Sequence, residues 1–124
     1  MLIKKSNDVA KQAITLDGAA GAYNRYLLVK EDGCPNYALR LSEIDPGGHT
    51  SYHAHEEEHE YYFLEGKGVV VDHNKVEHIV ESGDAVYVPS KQKHQVKNIG
   101  KSVLTFICTI PILKDGDGKS AKFI

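Results

Sequence analysis

Seven histidines in 124 residues is a heavy load for so short a chain, and four of them fall between positions 49 and 59. Their spacing suits metal coordination. In an extended strand, His53 and His55 project from the same face, so two imidazoles from one strand reach a common point. His59 stands just before the β-type run Glu60-Tyr-Tyr-Phe-Leu64. If the chain turns through Glu56-Glu-Glu58, His59 returns on the neighbouring strand as a third ligand. His94 follows Val88-Pro-Ser-Lys-Gln-Lys93, begins another strand and is available as a fourth. Neutral imidazoles leave the charge of a divalent ion uncancelled, and an octahedral ion held by such a set keeps open positions. That charge favours an anionic or enolisable ligand, best a bidentate one, which the ion can polarise. Imidazole suits manganese, iron, cobalt, nickel, copper and zinc alike, so the ligand set does not choose the metal.

Plainer readings stand beside this one. The chain could keep its histidines and bind nothing specific, or hold a purely structural ion, although structural zinc sites are closed and often cysteine-rich. His49, His73 and His78 read as non-ligands, with His49 the nearest to a supporting role. Glu56-Glu-Glu58 reads as a solvated loop that raises the local cation concentration.

The elements that would position these residues are short β segments separated by turn formers. Candidate strands are Arg25–Lys30, Asn36–Ile44, His49–His55, Glu60–Glu65, Gly68–Val71, Lys75–Glu81, Ala85–Val88, His94–Asn98 and Ser102–Ile110. Between them lie Glu-Asp-Gly-Cys-Pro, Asp-Pro-Gly-Gly, Glu-Gly-Lys-Gly, Asp-His-Asn and Glu-Ser-Gly-Asp, at intervals expected of an antiparallel sandwich or barrel. In the last strand Leu104, Phe106, Cys108 and Ile110 share one face. Asp8–Gln12 could close a helical turn. The expectation is an all-β, single-domain antiparallel barrel over residues 1–113, with 114–124, rich in Asp, Gly and Lys, as a mobile tail.

The same alternation supplies a wall for the site. If His59 faces inward, so do Tyr61 and Phe63; if His94 does, Val96 and Asn98 follow. Arg40, within Tyr37-Ala-Leu-Arg-Leu41, would grip a carboxylate or enolate bidentately if it points inward. Its phase stays open, because the segment is apolar on both sides. Cys108 and Tyr61 are the weak catalytic candidates, and each reads first as packing or wall.

Composition excludes several classes. Fifteen Lys+Arg against seventeen Asp+Glu give a net charge of −2, without the concentrated basic face that nucleic acid requires. No apolar run approaches the roughly 20 residues of a membrane span. Met1–Asp8 lacks the apolar stretch of a secretory leader. Two cysteines make a disulfide framework unexpected and a cytoplasmic location the default.

These residues resemble the cupins. The family's first motif is Gly, five residues, His-x-His, three or four residues, Glu, six residues, Gly. Gly47, His53, His55 and Gly66 fall on it. The second is Gly, five residues, Pro-x-Gly, two residues, His, three residues, Asn. Gly83, Pro89, His94 and Asn98 match it, with Lys91 replacing its second glycine. The family's carboxylate position falls at 59 or 60. Position 59 satisfies both flanking spacings, whereas Glu60 satisfies only the looser one. Adjacent strand residues face opposite ways, so one alone enters the barrel, and His59 is the choice. The chain then resembles small single-domain cupins with four-histidine sites, similar to bacterial and archaeal members containing manganese, a likeness that extends to Phe106-x-Cys108. The resemblance implies a jelly roll, metal ligands His53, His55, His59 and His94, and an inward Phe106 and Cys108. With the edges and apolar faces that a small barrel exposes, it also implies a homodimer.

The function expected is a metal-dependent, dioxygenase-like oxidoreductase acting on a chelating enol, diketone or aromatic small molecule. Arg40, Tyr61, Phe63, Phe106 and Cys108 would line its substrate site. The rivals are a non-catalytic metal-dependent ligand-binding or sensor module, and a metal-assisted isomerase, lyase or decarboxylase. Fold alone does not choose among them. A DNA-binding regulator is disfavoured, since no helix-turn-helix segment accompanies the barrel.

Overall fold

Short two-fold alternations with apolar residues on one side bury those residues by curling a sheet around them. The computed structural model describes residues 1–113; the segment 114–124, expected to be a mobile tail, lies outside the described residues. The strands are β1 (Gln12–Ala13), β2 (Ala20–Leu28), β3 (Tyr37–His49), β4 (His59–Glu65), β5 (Lys67–Val71), β6 (Glu77–Glu81), β7 (Ala85–Val88), β8 (Gln95–Asn98) and β9 (Leu104–Pro111). They pair antiparallel in the order β6-β5-β8-β3-β9-β4-β7, with β2 also on β3 and β1 on β2. This is the expected all-β, curled antiparallel architecture. Among the described residues no helix is long and apolar enough to cross a membrane.

Alternation runs cleanly through the three strands that floor the site. Ala38, Arg40, Ser42 and Ile44 of β3 are buried while Leu39, Leu41 and Glu43 are half-buried. His59, Tyr61 and Phe63 of β4 point in, and Glu60 and Tyr62 point out. Leu104, Phe106, Cys108 and Ile110 of β9 are all buried. The register aligns these inner faces into rows. Arg40 lies opposite Cys108, which lies opposite Tyr61, and Ser42, Phe106 and Phe63 form the next row. Two buried polar pairings tie this interior together: the Ser42 hydroxyl donates to Asn24 Oδ1 at 2.6 Å. The Asn98 amide donates to the carbonyls of Ile44 (2.7 Å) and Ser102 (2.8 Å), and its Oδ1 accepts from Gly100 N–H (2.9 Å). Asn98 of the second motif therefore ties β8 to β3 and to the following turn.

Four expectations need correction. β2 starts at Ala20 rather than Arg25, because its first residues pair with the far end of β3. Asp8–Gln12, which could have closed a helical turn, does not: the 3-10 turn lies at Ser6–Asp8, and Gln12–Ala13 pairs with β2. Asp45-Pro-Gly-Gly48 is not a turn between strands but lies within β3. There Ala22 pairs with Ile44 while Ala20 pairs with His49, so extra β3 residues bulge out opposite Gly21. Beyond His49 the expected strand to His55 is not continuous. His53 alone forms a bridge, exchanging backbone hydrogen bonds with His94 at 3.2 and 3.0 Å.

The bulge sets the path of the chain into the histidine segment, and Gly48 makes it possible. A Cβ there would lie 2.7, 2.9 and 3.0 Å from the carbonyl oxygens of Ala20, Gly21 and Asp45. Backbone on three sides cannot give way cheaply. Gly48→Ala is expected to destabilise the protein by about 1–3 kcal/mol, as overpacking does, read as a lower denaturation midpoint with unchanged slope.

Candidate metal centre

Three histidines converge at one end of the barrel. One ring nitrogen each from His53, His55 and His94 lies within 4.8 Å of the others. What aims them is the backbone. His53 Nδ1 is 2.9 Å from the Ser51 carbonyl, His55 Nδ1 2.7 Å from that of Glu57, and His94 Nδ1 2.8 Å from that of Gln92. A carbonyl oxygen only accepts, so each Nδ1 carries the proton and each Nε2 presents a lone pair. His53 Nε2 and His94 Nε2 are buried with no hydrogen-bond partner. Leaving such acceptors bare costs on the order of 1–3 kcal/mol each. A divalent cation is the group that this arrangement fits, for it takes neutral imidazole nitrogens held by outer hydrogen bonds.

His59, the fourth expected ligand, lies beside these three in a different state. It is fully buried, with Nε2 2.9 Å from His55 Nε2 and Nδ1 3.2 Å from Cys108 Sγ. Because His55 Nε2 is already the bare acceptor, the proton between the two rings sits on His59. Its Nδ1 then accepts from the Cys108 thiol. A hydrogen-bonded relay runs from Cys108 through His59 and His55 to the Glu57 carbonyl. To present a lone pair at Nε2 beside the other three, His59 must move its proton to Nδ1 and donate to sulfur. Burial pushes the Cys108 thiol up, while the neighbouring Arg40 guanidinium pulls it down. Burial chiefly, then Arg40, holds His59 well below the usual imidazole range.

Arg40 settles inward. It is buried on the inner face of β3, below the histidines. Tyr61 stacks on His59 with ring centroids 5.1 Å apart and meets Phe106 edge-on at 5.1 Å; burial raises its hydroxyl well above the ordinary value. Phe63 and Phe106, 4.9 Å apart, form the packed floor beneath. Glu60 faces solvent. Of the other histidines, His49 contacts the Thr50 carbonyl at 3.2 Å, His73 is exposed, and His78 meets Asp72 at 2.8 Å.

Sequence reasoning missed several contributors. The aiming groups are main-chain carbonyls, which carry no side-chain signal. Glu57, expected in a solvated loop, is buried at 6 % exposure with Oε2 lacking a hydrogen bond. Its neighbours Glu56 and Glu58 are exposed, within reach of Lys91 and Tyr87. Lys91, where the second motif has glycine, keeps the glycine-type conformation at φ 66° and donates its N–H to the His55 carbonyl at 2.8 Å. A side chain in the left-handed region costs roughly 1–2 kcal/mol, and that hydrogen bond helps hold it.

A curled antiparallel sheet carrying a converged histidine cluster at one end defines a small histidine-bearing β-barrel. The chain belongs to the cupin family: residues 40–110 match Cupin_2, the cupin domain. It is 33% identical over 115 residues to an uncharacterised protein of Methanocaldococcus jannaschii, covering 86% of this chain and 84% of that one. An oxalate-binding protein of Thermotoga maritima is 28% identical over 91% of this chain and 95% of its own. Among solved structures, the polyketide cyclase RemF of Streptomyces resistomycificus superposes with a TM-score of 0.84 at 25% identity, over 98% of this chain and 93% of that one.

Burial, reinforced by the neighbouring imidazoles, lowers His55 to about 4 from an ordinary 6.5, and burial lowers His94 likewise to about 4. In the unfolded chain both take protons near 6.5, so the unfolded state binds more protons between these values. Stability of the metal-free protein is therefore complete above pH 6.5 and falls as pH drops toward 4. Denaturation midpoints of chelator-treated protein across this window check the sign, and His55→Gln is expected to flatten the slope.

Proposed function

We propose that the chain is a metal-dependent, dioxygenase-like oxidoreductase that acts on a chelating enol, diketone or aromatic small molecule. The observation that carries the reading is the common aim of the His53, His55 and His94 Nε2 atoms, each ring locked through Nδ1 onto a carbonyl. His59 joins them as fourth ligand in this reading, after its proton moves to Nδ1 and turns toward Cys108. A divalent ion held there supplies Lewis acidity at coordination positions left open by the imidazoles. Manganese is favoured by resemblance; iron, cobalt, nickel, copper and zinc suit the same donors.

The chain's own groups do the rest. Arg40, buried beside the cluster, draws an anionic substrate inward and disfavours protonation of the histidines around it. In this reading Tyr61 and Cys108 back the substrate site above the packed Phe63 and Phe106 floor, and together they exclude water from beneath it. Tyr61 keeps its proton across neutral pH, since burial raises its hydroxyl, and so serves as a donor to a substrate oxygen. Cys108 exchanges a hydrogen bond with His59 as that ring changes tautomer. Residues 1–113 as one domain, a cytoplasmic location, consistent with two unpaired cysteines, and a homodimer complete the reading.

A second reading has its own observation. The Thermotoga maritima relative is an oxalate-binding protein, which favours a module that binds a small acid through the metal without turnover.

Metal analysis of purified protein is expected to find about one divalent ion per chain, as a single imidazole cluster holds. That ion is lost in His53→Ala and His59→Ala and kept in Glu60→Ala. The metal-loaded protein is then offered diketones and catechols in an oxygen electrode. Oxygen consumption that depends on substrate supports the oxidoreductase; binding without consumption moves the ligand-binding module forward. Absence of metal after reconstitution overturns both.

A further inference from the structure

β6 and β7 are the two ends of the strand order and do not pair with each other. Where these ends face across the barrel, a cavity of about 270 Å3 opens. Valines line its inner part: Val70 of β5, Val80 of β6, and Val86 and Val88 of β7 all border it, with His94 of the histidine cluster, while Asp72, His73, His78 and Gln92 form its polar remainder. On β6 the inner phase carries His78 and Val80, while Ile79 faces out. At the outer rim His78 Nε2 meets Asp72 Oδ2 at 2.8 Å, and Asp72 Oδ1 accepts the N–H groups of Asn74 (2.9 Å) and Val76 (3.0 Å). The β5–β6 hairpin is thereby pinned on both sides of its turn, so the cavity is formed in advance of any ligand.

The shape and lining of this cavity bear on what binds. A two-carbon acid reaching the cluster would leave this slot unfilled, and an apolar body gains by leaving water and packing against Val80, half-buried Val86 and Val88. We propose that the ligand of the histidine cluster carries an apolar, ring-sized body beside its chelating oxygens. This body lies in the slot between β6 and β7, against Val80, Val86 and Val88. The proposal rests on the metal-chelation reading above and narrows it: small acids bind through the chelating head alone, and the slot selects among ligands that share that head.

The test uses metal-loaded protein and two hydroxamates with the same chelating head, acetohydroxamate and benzohydroxamate, titrated by calorimetry. Benzohydroxamate is expected to bind about tenfold or more tightly, the scale set by burying a ring instead of a methyl group. In Val86→Phe, which fills the slot, the two affinities are expected to converge. Equal affinities in the unaltered protein, or a full preference surviving in Val86→Phe, overturn the slot while leaving chelation standing. Binding of neither probe removes the chelation reading and the slot with it. The comparison in the unaltered protein decides the matter even if the variant does not fold.

Discussion

Three backbone carbonyls hold the site together. The Nδ1 protons of His53, His55 and His94 point at the carbonyls of Ser51, Glu57 and Gln92, and this leaves each ring only one way to face. Neutral imidazole has one donor and one acceptor, so satisfying the donor outward turns the acceptor inward. Two of those carbonyls lie two residues before the ring they hold and one lies two residues after. The aim of each side chain thus depends on local backbone shape, which is why the surrounding barrel has to be so well fixed.

The fold supplies that fixity from outside the cluster. The His53–His94 bridge places two of the rings on adjacent segments, and Thr50 N–H to Val96 O at 2.9 Å, with Val96 N–H to Thr50 Oγ1 at 2.9 Å, lays the incoming chain along β8. Asn98 then anchors β8 onto β3. The bulge in β3, opened by Gly48, starts this path. Asn98, a motif residue that alternation placed in the wall of the site, is here structural, donating to the carbonyls of Ile44 and Ser102.

Much of this was legible because period-two alternation is a strong signal wherever one face is buried. His53, His55 and His94 could be grouped from spacing, and Glu60 set apart from His59, because neighbours in a strand face opposite ways. Arg40 was not legible. Leu39 and Leu41 flank it and are themselves half-buried, so hydrophobicity gave no phase; only the register with Cys108 and Tyr61 does. The path from Asp45 to His55 misled for a related reason: Pro and Gly mark a turn in most contexts, yet here they mark a wide bulge inside a strand. Buried Glu57 sits between two exposed glutamates, and nothing in three identical residues distinguishes the middle one.

Charge gives the last constraint. Among the described residues the buried side chains that ordinarily carry charge are Arg40 and Glu57, one of each sign, and the imidazoles of His55, His59 and His94 are held neutral. The interior is thus near balance before any cation enters. Adding a divalent ion to neutral donors leaves two uncompensated positive charges in a poorly hydrated place, a state that burial penalises. Water at the open positions offsets part of that cost, and an anionic chelator offsets more, since the attraction between opposite charges grows as solvent is removed. A site with a carboxylate ligand would meet its ion already partly neutralised. With His59 inward and Glu60 turned to solvent, a cation held by the three converged histidines would leave that compensation to its ligand. An imidazole rather than a carboxylate at position 59 would thus make the negative charge of an incoming ligand part of what stabilises an ion held by the cluster.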